Sequence, residues 1–367
     1  MESQTPIIFK EDSLHTPNRW IDFSLRTNPT SDSNDRINLS TYSWSVNSSG
    51  LPKKSRALII LHGFGEYGGR YAQNVEKFQR TFDSVRTYDQ RGHGTSPGLR
   101  GHFSSLRYLS NDFWLFYARC LVDDILAEVS RDYVVLGHSF GGLVLLNALE
   151  DPMQRVRILD YLKASNFLGF CKNKADGSLD RSNQKRVESI LASQDFLDRY
   201  HSPMNLVFSA PLLGVKVQAP LWKKGLGRVL SKFGATSALQ LTNEINATQL
   251  SHDSANADRY TSDKLIHHNI TPLAYSEMLR AIDNCAQRTA ASWGIPKHSK
   301  ILVLIPTADS IVDSAAGKSF FAPLITAASG SDTRCKIIQY DGLYHEIFNE
   351  LDQSPYSDLH TWVEQLN

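Results

Sequence analysis

The sequence predicts an α/β fold in which a mostly parallel central sheet is flanked by helices and interrupted by a mainly helical cap. Three observations predict it. Short apolar runs of strand length (57–61, 84–88, 133–136, 205–209, 300–306 and 335–340) alternate with helix-patterned stretches, the rhythm of parallel strands joined by crossover helices. One run passes through Gly137-His138-Ser139-Phe140-Gly141 directly into an apolar helical run, the strand–turn–helix pattern that lifts a serine onto a sharp bend. Residues 212–292 then break the strand rhythm with helical patterns and turn breakers, as a cap over the strand ends would.

The 367 residues, 41% hydrophobic and 21% charged, suffice for a core of 1–211 and 293–367 with a cap of 212–292 between them. A net charge of +1 argues against a general nucleic-acid binder. Cys120, Cys171, Cys285 and Cys335 are scattered, without a Cys-x-x-Cys pair or histidines at metal-ligand spacing, so reduced buried thiols are expected rather than a zinc site or disulfides. The first six residues carry an acid early and lack the apolar core of a signal peptide, and no apolar run approaches the ~18 residues of a membrane span. A cytoplasmic protein is expected, peripheral to the inner face of the membrane if it touches membrane at all.

Residues 20–26 and 37–46 alternate with period two around a polar stretch, 27–35, and predict an antiparallel hairpin at a sheet edge. The strand 57–61 ends in His62-Gly63-Phe64-Gly65-Glu66, a glycine-bearing loop that can turn the Phe64 amide inward. A helix over 70–80 leads to the strand 84–88. The loop after it, Asp89 to Ser96, holds Asp89, Arg91 and His93, which are expected to satisfy one another in a structural turn. The apolar stripe of 108–129 predicts a core helix. In the serine motif, Gly137 and Gly141 are required because a side chain would collide where the backbone doubles back, and Gly142 lets helix and strand pack closely. Residues 151–203 are polar, include a predicted helix over 184–200, and are expected to be a surface insertion.

The cap opens with a basic stretch. Between 212 and 243 there are five lysines and arginines, Lys216, Lys223, Lys224, Arg228 and Lys232, and no carboxylate. Trp222, Leu226, Val229, Leu230 and Phe233 fall near one helical face. Such a helix can lie on an anionic membrane surface. The pattern equally suits a cap helix with its basic face in water, and Gly225 and Gly227, which weaken the helix, favour that alternative.

Ser139, Asp309 and His345 each follow a predicted strand end on the same edge of the sheet, in the order nucleophile, acid, base. A serine hydroxyl is a weak nucleophile until an imidazole takes its proton, and the imidazole needs a carboxylate to fix its tautomer and stabilise its charged form. Asp313 is expected to cap the helix beginning near Ser314 instead, His360 to sit inside the last helix, and His138 to be held beside the serine without reaching its oxygen. The amide of Phe140, at a helix start, and that of Phe64 point where an oxyanion would develop. This chemistry requires no metal or organic cofactor.

His62-Gly63-Phe64-Gly65-Glu66 with Gly69-Arg70-Tyr71, Asp89-Gln90-Arg91-Gly92-His93-Gly94 with Arg100-Gly101-His102, Gly137 to Gly142, Asp309 and Tyr344-His345 together resemble the α/β-hydrolase branch of monoacylglycerol lipases and bacterial lysophospholipases. Ser209 to Leu213 and Ile270-Thr271-Pro272 lean toward the lysophospholipases. The resemblance covers most of the chain from about Ala57 onward. It implies a serine esterase with Ser139 as nucleophile, Asp309 and His345 as its partners, the Phe64 and Phe140 amides as oxyanion hole, and a single-chain lipid as substrate. Glu66, Arg70, Lys223, Lys224 and Arg228 are the residues expected to meet that substrate. Two features depart from the pattern: the length of 151–203, and Gln90 where these proteins often carry histidine.

Overall fold

The computed structural model describes residues 19–23, 37–45, 55–164, 181–216, 241–242, 245–326 and 334–366. The sheet strands are β1 (Arg19–Phe23), β2 (Ile37–Ser45), β3 (Arg56–Leu61), β4 (Ser84–Tyr88), β5 (Asp132–His138) and β6 (Asn205–Ser209); two-residue strands β7 (Leu241–Thr242) and β8 (Asn269–Ile270) form a separate pair, and β9 (Lys300–Pro306) and β10 (Cys335–Tyr340) complete the sheet. The order across the sheet is β1-β2-β4-β3-β5-β6-β9-β10. From β4 to β10 every pairing is parallel, and β1 and β2 add an antiparallel hairpin at one edge. Leu58, Ile59, Ile60, Val134, Val135 and Leu136 have no exposed surface. Strands covered on both faces need no polar side, which is why they stand out in the sequence as unbroken apolar runs.

The helices are α1 (Leu106–Leu126), α2 (Phe140–Glu150), α3 (Pro152–Ala164), α4 (Arg181–Ala192), α5 (Gln194–His201), α6 (Ser254–Ser262), α7 (Pro272–Gln287), α8 (Ser314–Thr326) and α9 (Ser354–Glu364). Two differ from the sequence expectation. The helix predicted over 70–80 is a 3-10 turn, Gly68–Asn74, running into a single α-turn, Val75–Phe78; at its start Gly68 and Gly69 are pressed against Thr87 and Tyr42 with no room for a β-carbon. The helix predicted over 184–200 is broken at Ser193, whose hydroxyl accepts from the Phe196 amide and starts α5 afresh. Residues 151–203, polar in composition, nevertheless bury Leu159, Leu162, Phe196 and Tyr200.

After β3 the chain moves to β4 on one side, then returns to place β5 on the other. The loops leaving β3 and β5 therefore diverge, opening a crevice at the carboxyl ends of the strands. The loop after β3 and the Ser139 bend flank that crevice. Described residues of the 212–292 stretch reach the same edge: the His267 amide donates to Gly65 (2.9 Å) and the Glu346 amide to Leu250 (2.7 Å).

Candidate active site

Ser139 sits between β5 and α2 with φ 50° and ψ −117°, a conformation that L-residues with side chains rarely adopt. Backbone bonds on both sides hold it there: its amide donates to Ser209 O (2.9 Å), and its carbonyl accepts from Gly142 (3.0 Å) and Leu212 (3.0 Å). A β-carbon on Gly141 would lie 2.1 Å from Leu61 O, and one on Gly137 2.7 Å from Gly142 Cα. The strain at the serine is thus over-determined by its surroundings, as is usual at a reactive position. Phe140 opens α2, so its amide has no intrahelical acceptor. Across from it, the Phe64 ring meets the Phe140 ring edge to face at 5.4 Å, joining the two amide-bearing segments by an apolar contact.

His345 Nδ1 lies 2.6 Å from Asp309 Oδ2. The other Asp309 oxygen accepts from the Ile311 (2.8 Å) and Val312 (3.0 Å) amides, and Lys216 Nζ donates to the Asp309 carbonyl (2.7 Å). With its acceptors filled, the carboxylate holds one orientation, and Nδ1–H donated to it leaves His345 Nε2 as the free base. Burial works against charging His345, but Asp309 beside it, with Glu346 and Glu66, outweighs burial and raises its pKa above the ordinary histidine value. Burial likewise opposes the Asp309 charge, and His345 with the two amides still holds the carboxyl below its usual range. His138, next to the serine, is different. Burial, then His345, lowers it to about 4. It is a neutral spacer whose ring lies 5.0 Å from that of His345 and whose Nδ1 faces Ser209 Oγ at 3.4 Å. Among the described residues no hydrogen bond joins Ser139 Oγ to His345, a common state for such a pair before substrate binds.

Glu66 and Arg70, expected to meet substrate, are buried and have their polar atoms occupied by protein. Glu66 Oε1 accepts from the Gly63 amide (2.6 Å) and the Tyr71 hydroxyl (3.1 Å), and Arg70 spans Glu66 and Glu346. Lys223, Lys224 and Arg228 lie outside the described residues, as do Cys171 and the amphipathic pattern around Trp222. Cys120, Cys285 and Cys335 are buried and free. Asp89 accepts from Gly68, Tyr42 and Thr95, Arg91 forks onto Asp112, and only His93 Nδ1 turns back to the Arg91 carbonyl (3.0 Å), so the loop is an internal turn whose side chains are met mostly by other groups rather than by one another. Asp313 caps α8 through the Ala315 amide, and His360 pairs with Thr81. Gln90 packs under the first loop, its amide nitrogens donating to His62 Nε2 (2.9 Å, main chain) and His62 O (2.7 Å, side chain). Glu346, the neighbour of the candidate base, was not singled out by sequence reasoning; its partner Arg70 is 276 positions away, and nothing local marks the pair.

Known proteins resemble this chain in both sequence and fold. An uncharacterized abhydrolase domain-containing protein of Dictyostelium discoideum is 24% identical over 332 residues, 90% of this chain but only 28% of that relative's own length. Monoacylglycerol lipase of Mycolicibacterium smegmatis is 23% identical over 83% of this chain and 87% of its own, and phospholipase YtpA of Bacillus subtilis is 25% identical over 80% and 88%. A soluble variant of Saccharomyces cerevisiae monoglyceride lipase, solved with a substrate analog, superposes with a TM-score of 0.63 at 16% identity, over 90% of this chain and 92% of its own, and supports the fold alone. The family model described as serine aminopeptidase, S33, matches residues 52–159 and 191–352, and the chain belongs to this family of α/β hydrolases.

Proposed function

We propose that this chain is a serine carboxylic-ester hydrolase acting on single-chain lipids. The observation that carries the reading is the Asp309–His345 hydrogen bond at the strand edge that also presents the strained Ser139. In the proposed reaction His345 Nε2 takes the Ser139 proton as Oγ attacks the ester carbonyl, and the Phe64 and Phe140 amides meet the developing oxyanion. Collapse expels the alcohol, which receives the proton from His345 and leaves an acyl-Ser139 ester. Water activated by the same imidazole then releases the fatty acid. Each acyl methylene buried under an apolar cap contributes about 0.8 kcal/mol to substrate binding.

A lysophospholipid is the preferred substrate. The basic residues Lys223, Lys224 and Arg228 suit a phosphate head group and an anionic bilayer surface, and one relative is named a phospholipase. Monoacylglycerol is the second reading, favoured by the name of the Mycolicibacterium relative. The family description also keeps amide substrates in view. Localisation to the cytoplasm, with peripheral contact at the membrane's inner face, goes with this proposal.

The test is product release from matched monooleoyl lysophosphatidylcholine, lysophosphatidylethanolamine and monooleoylglycerol, together with fluorophosphonate labelling, by wild type and Ser139→Ala. Labelling and turnover that vanish in the variant are expected, with lysophospholipids turned over faster. Labelling that persists in Ser139→Ala removes the nucleophile assignment, and faster turnover of the glycerol ester moves the substrate to the second reading. Amide cleavage without ester cleavage replaces both.

A further inference from the structure

We propose that Arg70, Glu66 and Glu346 form a positioning unit that fixes the loop bearing the Phe64 amide against the loop bearing His345; the inference rests on His345 being the base. Arg70 is buried at the meeting point of three segments. Its Nη1 donates to Glu66 Oε2 (2.9 Å) and Glu346 Oε1 (2.5 Å), and its Nη2 to Glu346 Oε2 (2.7 Å) and Asn256 Oδ1 (3.1 Å). Glu66 in turn holds the Gly63 amide, one residue before Phe64. Glu346, one residue after His345, also accepts from Asn256 (2.8 Å) and Asn349 (2.9 Å). The Tyr260 ring closes over the guanidinium at 5.2 Å. The loop after β3, the loop after β10 and cap helix α6 are therefore referenced to a single planar group.

Stability alone does not account for this choice. Burying charge is expensive, and a well-packed apolar trio of similar volume is commonly as stable or more so. A planar fork adds fixed angles between the loops it joins. It also adds charge: two carboxylates against one guanidinium leave a net negative charge behind the imidazole. The groups facing His345 are Asp309, whose carbonyl accepts from the Lys216 ammonium, Glu346 on its own loop, Glu66 and Arg70 from the loop after β3, and neutral His138 at the end of β5. That balance favours the imidazolium formed when Ser139 loses its proton.

Two variants separate geometry from charge. Arg70→Lys keeps the cation without the fork, and Glu346→Gln keeps the shape without the anion. With active sites counted by fluorophosphonate titration, Arg70→Lys is expected to lower kcat per site by about tenfold or more with KM changed less than about threefold. Glu346→Gln is expected to lower kcat and move the acid limb of kcat/KM to lower pH. Should Glu346→Gln fail to fold, Glu66→Gln gives the same pH reading, since Glu66 faces the same imidazole. Wild-type kcat, KM and pH profile per active site, with only yield or melting temperature reduced, would mean a purely structural cluster and overturn the proposal. Labelling at the wild-type rate in His345→Ala would instead remove the base assignment, and this inference with it.

Discussion

Gly141 and Gly142 are adjacent, yet they face very different tolerances. A methyl on Gly141 would press to 2.1 Å from Leu61 O, a backbone atom in a central strand, whereas one on Gly142 would come no nearer than 3.1 Å, to Pro211 Cβ, with Gly137 O and Pro211 Cα at 3.3 Å. Gly141→Ala is therefore expected to cost about 3 kcal/mol or more and Gly142→Ala about 1 kcal/mol, read as shifts in the chemical denaturation midpoint. Equal midpoints would mean that the bend relaxes more freely than its hydrogen bonds imply. His345 supplies a second prediction. As the proposed base it must be neutral to act, and its pKa is raised. Log kcat/KM should then fall with unit slope as pH drops through a midpoint above the ordinary histidine value of 6.5. A midpoint below that value would contradict the local charge balance described for this site.

Among the elements, the docking of α3 onto α1 turns on Arg155. Its guanidinium lies over Trp114 (4.8 Å), Tyr117 (5.6 Å) and Tyr200 (4.9 Å), with one hydrogen bond, to Ser202 O (3.3 Å), and with Nε and Nη2 unpartnered among the described residues. Cation–π attraction and packing both act here, and desolvation opposes them. We expect packing to dominate: Arg155→Met should change stability by less than about 1 kcal/mol, while Arg155→Ala, which leaves a cavity, should cost about 2–4 kcal/mol. Equal losses for Met and Ala would give the weight to the cation. No composition signal pointed to this box, because its four members come from three segments. Strands were far more legible. The runs at 84–88, 205–209 and 300–306 match β4, β6 and β9 residue for residue. Apolar strands buried on both faces and closed by glycine, proline or a polar loop carry their boundaries in local sequence. The same locality made Ser139, Asp309 and His345 the candidates, since each follows a strand, and the structure joins the last two by a hydrogen bond. It hid the inward turn of Glu66 and Arg70, which depends on Glu346 arriving from the last strand of the sheet.

Across the molecule, four buried histidines among the described residues, near one edge of the sheet, have their pKa values pushed down. Burial lowers His62, His93, His138 and His267, the last two to about 4. A histidine whose folded pKa is lowered takes up a proton on unfolding below about pH 6.5. Their contribution to stability is therefore present above that value and lost as pH falls toward their folded pKa values. His345, with a raised pKa, acts with the opposite sign but is one group against four. Asp309 and Glu346, both lowered, add a further loss only in more acidic solution, Glu346 toward its folded value of about 2. The melting temperature should drop by at least about 5 °C between pH 7 and pH 5. A flat profile over that interval would show the histidines to be protonated or solvated in the fold. The cap, too, has a consequence at this scale. Val215 bridges to Val312, Lys216 holds the Asp309 carbonyl, and at the far side Thr271 bonds Gly101, whose missing side chain leaves room for Asn269 O. These are two fastenings of the 212–292 stretch to the rest of the chain, one of them on the Asp309 loop. A foreign segment exchanged into that stretch should enter after Lys216 and rejoin before Asn269, since a cut even two residues earlier would remove the Lys216 contact to the Asp309 loop together with the exchanged residues.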